Sequence, residues 1–206
     1  MHLLAKHRGD IETRLGLWSL EQGSIAAEIA VAGVPALTAT DPSGSRLAVA
    51  DYDRAVRVWD LATGELLAQI DLQVQPSAIH LAAGGDALGV VHGQSGVSLW
   101  SISRPQDPLL EEYADGNWQL VFSGSGAKAI AGRAEAGFQI YSRRDGRQVG
   151  PPFGVRRSAD PSSMLAFSQN EQVVFAGNPR GISRFWKAAE IPPAADSGPT
   201  EDGHLL

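Results

Sequence analysis

The hexapeptide Val56-Arg57-Val58-Trp59-Asp60-Leu61 recurs along the chain at a fixed interval. Leu15-Gly16-Leu17-Trp18-Ser19-Leu20 lies 41 residues before it, and Val97-Ser98-Leu99-Trp100-Ser101-Ile102 lies 41 after. Phe138-Gln139-Ile140-Tyr141 follows after another 41, and a fifth copy closes at Trp186, 45 residues later. A sustained interval of this length points to repeated supersecondary units, each too small to bury its own apolar face and each covered by the next.

The frame holds at other offsets. Fifteen positions before the aromatic stand Gly44, Gly85 and Gly126, with Glu171, preceded by Asn170, in the fifth unit. Each glycine sits in a turn cluster, such as Asp41-Pro42-Ser43-Gly44, able to supply the positive φ of a hairpin. Twelve positions before the aromatic are Leu47, Leu88, Ala129 and Val174, all apolar. Pro35 and Pro76 each open a further apolar run, with Asn117 in that place one unit on. In the second unit the strands read Ala36–Thr40, Arg46–Ala50, Ala55–Leu61 and Glu65–Leu72. Short apolar and β-branched runs, broken by Gly and Pro every eight to twelve residues, exclude long helices. The predicted fold class is all-β: a β-propeller of four-stranded antiparallel blades, about four to five repeats of ~41 residues, part of a larger propeller.

The segment Leu47-Ala48-Val49-Ala50-Asp51-Tyr52-Asp53-Arg54-Ala55-Val56-Arg57-Val58-Trp59-Asp60 resembles a WD40 repeat, with its Trp-Asp ending and an acid six positions before the Trp. In that family the acid, a Trp, a Ser and a His form a network that ties each blade together. The resemblance gives that role to Asp53 and Trp59, and more loosely to Glu12 with Trp18 and Glu135 with Tyr141. Gln94 and Arg180 depart from the pattern, Val49 stands at the Ser position, and the Gly-His pair is missing from every unit. The resemblance thus implies incomplete blade networks and stability carried by apolar packing. The structural blade positions are Trp18, Trp59, Asp53, Trp100, Tyr141 and Trp186.

Residues 1–9 read as an N-terminal extension and 10–190 as the propeller. Its repeats are a partial one near 10–31, then 35–72, 76–113 and 117–153, and a partial one at 161–187. Residues 191–206, rich in Pro, Gly and Ser, read as a tail. The first unit lacks two strands and the fifth lacks a clear fourth, and neither end shows a charged cap in sequence. An open propeller exposes edges and a sheet face. Three outcomes follow: the chain is part of a larger propeller, it closes on itself by pairing Ser24–Val31 with the last unit, or another chain completes it by self-association or as a partner.

The net charge of −6 argues against a nucleic-acid or anionic-membrane surface, which needs a positive footprint. There are no cysteines, so thiolate chemistry and disulfides are excluded. Residues 1–10 contain no apolar signal core and no run is long enough for a membrane helix, which makes a cytoplasmic location the expectation. The five histidines show no ligand spacing, so no metal and no cofactor are expected. Lys128 follows Gly124-Ser125-Gly126-Ala127 without the spacing of a phosphate loop, and Gly93-Gln94-Ser95-Gly96 is one residue short of a nucleophile elbow.

Propellers bind through loops on one rim. There the frame places Tyr52 and Arg54, His92, Arg133, Arg156 and Arg157, and Arg180, with Trp118 beside them. An aromatic flanked by arginines suits a protein interface. Packing between blades is the plainer reading of Trp118, and solvated loops that of His92 and the Arg156-Arg157 pair. No repeated acid or base points inward as catalysis would require. The expected function is a non-catalytic, WD40-like interaction scaffold or sensor with a protein partner. Among Ala- and Gly-rich, bacteria-like sequences the resemblance implies attachment to a signalling or NTPase domain. The alternatives are a ligand-binding or enzymatic propeller using its channel, and a fragment completing another chain's ring.

Overall fold

The computed structural model describes residues 2–6, 12–133, 136–153, 164–168, 170–177 and 183–187. Among these residues every regular element is a strand. The first sheet joins β1 (His2–Lys6), β2 (Glu12–Ser19) and β3 (Ser24–Ala32). The second is β4 (Pro35–Thr40), β5 (Arg46–Asp51), β6 (Ala55–Asp60) and β7 (Leu66–Asp71). The third is β8 (Ala78–Leu81), β9 (Ala87–Val91), β10 (Gly96–Ser101) and β11 (Arg104–Tyr113). The fourth is β12 (Trp118–Phe122), β13 (Lys128–Arg133) and β14 (Gly137–Ser142), and the fifth β15 (Met164–Phe167), β16 (Val173–Gly177) and β17 (Ser183–Lys187). Each sheet is an antiparallel meander, in sequence order from one edge to the other.

Two boundaries differ from the sequence reading. The stretch taken as an N-terminal extension holds β1, paired with β2 in the register His2↔Trp18 to Lys6↔Arg14, so the first unit lacks one strand and not two. No repeat aromatic marks β1, which leaves it without a signature. The fourth unit, expected complete, has its last strand reduced to the bridges Phe138↔Phe153 and Tyr141↔Gln148. Pro151 and Pro152 supply no N–H to a ladder there. Of the three outcomes for the ends, closure through Ser24–Val31 is not seen among the described residues: β3 pairs with β2, and each sheet is separate. The tail from 188 lies outside the described residues.

Alternation along each strand gives every sheet two faces, and the sheets stack in order. Leu15, Leu17, Ile29 and Val31 of the first pack on Leu47, Val49, Trp59 and Leu61 of the second. Val56, Val58 and Ile70 of the second pack on Ile79, Leu88, Val90 and Trp100 of the third. Tyr141 joins Val91 and Val97 across the next interface, and Trp186 lies against Ile130, Phe138 and Ile140 across the last. From Trp59 onward, each aromatic of the repeat therefore faces the preceding sheet. Burying a Val or Leu at such an interface contributes about 1.5–3 kcal/mol, so the interfaces carry the fold.

The turns joining the first two strands of the second, fourth and fifth sheets use one device. Asp41 Oδ1 accepts from the N–H of Arg46 at 2.8 Å, and Ser123 and Ser168 Oγ accept likewise from Lys128 and Val173 at 3.2 and 3.0 Å. On this turn rim neighbouring sheets are stitched together. Arg46 Nη1 donates to the carbonyl of Gly85 at 2.8 Å, Arg143 pairs with Asp86, and the N–H of Ser125 reaches the Glu171 carboxylate.

Candidate interaction rim

The opposite rim carries the loops between second and third strands and the links between sheets. In the second sheet its base is an ion-pair cluster. Arg57, on β6, donates from Nη1 to Asp51 Oδ2 at 2.5 Å and from Nη2 to Asp53 Oδ2 at 2.7 Å. Its Nε donates to Gln69 Oε1 on β7 at 3.0 Å. Asp53 Oδ1 also accepts the N–H of Ala55 at 2.8 Å, so its carboxylate braces its own loop. The hydrogen bond it shares with Asp51, with Arg57 beside it, holds Asp53 at about 2. Burial and the neighbouring Asp53 carboxylate push Asp51 up, against the pull of Arg57.

Arg54 takes a left-handed backbone conformation (φ 65°) at the loop's exit, an uncommon state for a side chain with a Cβ. Its carbonyl accepts the N–H of Leu72 at 2.8 Å, and its Nη1 donates to the Gln73 carbonyl at 3.2 Å. Gln75 Nε2 donates to the carbonyl of Asp51 at 2.8 Å. The loop is thus pinned from three sides, and Tyr52 at its tip is 73% exposed.

His92, expected on the rim as a solvated loop residue, is instead buried at 3% exposure. Its Nε2 lies 2.8 Å from Ser98 Oγ, and that hydroxyl accepts the indole N–H of Trp100 at 2.7 Å. Burial pushes the imidazole pKa down. Tyr113, half exposed, lies 5.7 Å from the His92 ring centroid and covers it.

Asp51 and His92 both stand eight positions before their aromatic, and Arg57 and Ser98 two before. The same pair of positions therefore holds an ion pair in one sheet and a neutral relay in the next. In the fourth sheet the pair is Arg133 and Gln139, and they diverge. Gln139 is buried and donates to the Gly150 carbonyl at 2.8 Å. Arg133 turns outward, donates to the Asp115 carbonyl and lies over the Trp118 ring at 5.6 Å. Trp118 is half-buried against the cluster of Leu120 and Tyr141, with its indole N–H on the Ala114 carbonyl at 2.6 Å. Its arginine flank is thus an intramolecular contact. Arg156, Arg157, Arg180 and Glu135 lie outside the described residues.

Of the blade positions, Trp59, Trp100 and Tyr141 are buried, while Trp18 and Trp186 in the outer sheets are half-buried. Sequence reasoning missed Tyr113 on the rim. Its only signal was a tyrosine closing the third unit beside two acids, Glu111 and Glu112. A cleft of about 270 Å³ lies on the other, turn rim, between Asp86, Ser101, Ser103, Leu109, Arg143 and Arg144, and the Arg143–Asp86 pair spans it.

No protein-family model matches the chain, and no curated protein sequence matches it. Its fold is similar to the crystal structure of the Cps50 (Swd1) β-propeller domain of Myceliophteria thermophila. The TM-score is 0.61 at 15% sequence identity, over 90% of this chain and 61% of that one. The chain therefore spans about three-fifths of the length of that propeller domain and has a partial β-propeller fold.

Proposed function

We propose that this chain is a non-catalytic interaction module that presents its loop rim to a protein partner, as the sensing or scaffolding part of a cytoplasmic signalling protein. The propeller fold supports a scaffold at the level of architecture. The carrying observation is the loop of the second sheet. Tyr52 is 73% exposed on a backbone fixed by Arg57, Asp53 and Gln75. An aromatic held out on a braced loop loses little freedom on binding, which favours its use as an anchor. Half-exposed Tyr113 and the Trp118–Arg133 pair extend this surface toward the fourth sheet. A photo-cross-linking amino acid at position 52 of the whole protein, in its host, tests the reading. A discrete adduct with one protein is expected, absent when the same group stands at Thr63 on the turn rim. Adducts equal at both positions, or none at 52, overturn it.

A further inference from the structure

Two positions after the repeat aromatic, the second and third sheets each place a buried aliphatic side chain. Leu61 is 9% exposed there and Ile102 is 4% exposed. The fourth sheet places Arg143 at the same position, with 27% of its side chain exposed. Its Nη1 donates to Asp86 of the third sheet, but its Nε is buried without a hydrogen-bond partner among the described residues. An orphaned buried N–H on a cation is costly, and packing alone favours the aliphatic residue that the repeat uses. Stability therefore does not account for the arginine.

The cleft of about 270 Å³ on the turn rim is lined by this arginine. Arg144, next along the chain, is exposed and makes no ion pair among the described residues. The acid that follows it, Asp145, lies 3.8 Å from Arg147 instead. Two guanidinium groups against the single carboxylate of Asp86 leave the cleft with surplus positive charge, in a chain whose net charge is −6. The hydroxyls of Ser101 and Ser103 are 3.0 Å apart. One donates to the other, so one hydroxyl hydrogen stays free to donate elsewhere. Leu109 adds an apolar wall. The turn that carries both arginines is seated on β11 by Gly146, where a Cβ would strike the Leu109 carbonyl oxygen.

We infer that this cleft binds a small organic carboxylate ion. Arg144 and the Nε of Arg143 donate to its oxygens with charge-assisted hydrogen bonds, the free serine hydroxyl adds a neutral one, and its hydrocarbon end lies on Leu109. The charge count selects a monoanion, because a dianion would leave the cleft negative beside Asp86. The volume selects a small molecule, since it falls just below the roughly 300–1,000 Å³ of sites for drug-sized ligands. The cleft is on the rim opposite Tyr52, so the inference does not rest on what the loop rim binds.

Titration of the whole chain with propionate at constant ionic strength, followed by the backbone amide signals of Ser103 and Arg144, tests the inference. A saturable shift with a millimolar Kd is expected, as so small a ligand allows. Propionamide is expected to leave the signals unmoved, and sulfate and a blocked Gly-Glu-Gly peptide to bind no tighter than propionate. Arg144→Gln, at an exposed position, is expected to raise the Kd at least fivefold. Arg143→Leu, which installs the residue found at Leu61, is expected to fold and to lose binding. A shift that never saturates, an unaltered Kd in Arg144→Gln, or tighter binding of sulfate overturns the inference. So does a peptide that binds tenfold tighter than propionate, which would make the cleft a docking site for an acidic protein segment.

Discussion

Ser98 accepts the indole N–H of Trp100 two residues further along the same strand, at 2.7 Å. The side chains of i and i+2 share one face of a strand, so the contact is local, yet it satisfies a donor buried between two sheets. His92 meets the same hydroxyl from the end of the neighbouring strand. Removing the hydroxyl strands both rings in an apolar interface. Ser98→Ala is expected to destabilise the protein by about 2 kcal/mol, since an orphaned buried polar group costs about 1–3 kcal/mol. Urea unfolding measures it, and a loss below about 0.5 kcal/mol contradicts the relay.

Arg57 is the second test. It neutralises Asp51, a mostly buried carboxylate, and Asp53, which is half exposed. Arg57→Ala leaves Asp51 charged and unpaired, for an expected loss of about 3 kcal/mol. Asp53→Ala removes one exposed arm and one loop hydrogen bond, for about 1 kcal/mol. The two losses, compared by chemical denaturation, should keep that order. Equal losses mean that Asp51 does not need its partner.

The repeat aromatics give a graded series. Trp59 and Trp100 are buried between sheets, whereas Trp18 faces outward in the first sheet. Trp59→Ala and Trp100→Ala are each expected to cost about 3–5 kcal/mol through the cavity left behind. Trp18→Ala should cost less than half as much. Thermal melts of the three variants check the ranking.

Burial disfavours the imidazolium of His92. The unfolded chain takes up a proton near pH 6.5 while the folded ring stays neutral, so stability falls as pH drops through about 6.5. The fall continues until the folded ring itself titrates. His92→Gln removes this site's share. The urea midpoint of the parent should therefore drop more between pH 7.5 and 5.5 than that of the variant, and parallel lines contradict the assignment.

Gly89 has no Cβ because Leu120 of the next sheet occupies the space: a methyl there would stand 2.3 Å from Leu120 Cδ2. Gly89→Ala is expected to cost about 1–3 kcal/mol by forcing the third and fourth sheets apart. Gly89→Ala combined with Leu120→Ala should recover part of that loss, which a double-mutant cycle reads.

The periodic features were legible in sequence because they obey the repeat. The turn glycines Gly44, Gly85 and Gly126 all take positive φ, and Glu171, at the same offset, does so too at 58°. The polar pair eight and two positions before the aromatic obeys the repeat only in position. Its chemistry changes from Asp51 with Arg57 to His92 with Ser98, so no single residue type announces it. His92 looked like a loop residue because its burial is set by Ser98 across the hairpin and by Tyr113 over it. The rim residues follow no period at all, since each loop answers to its own surroundings. Fold is thus readable here from what recurs, and the binding surface from what does not.

The bonds that link Arg46 to Gly85, Arg143 to Asp86 and Ser125 to Glu171 all lie along one rim, and each crosses from one sheet to a neighbour. They act as the rivet line of a folding fan. The opposite edge, where Tyr52, Tyr113 and Trp118 stand, takes no part in these three bonds, so substitutions at those residues leave every rivet in place.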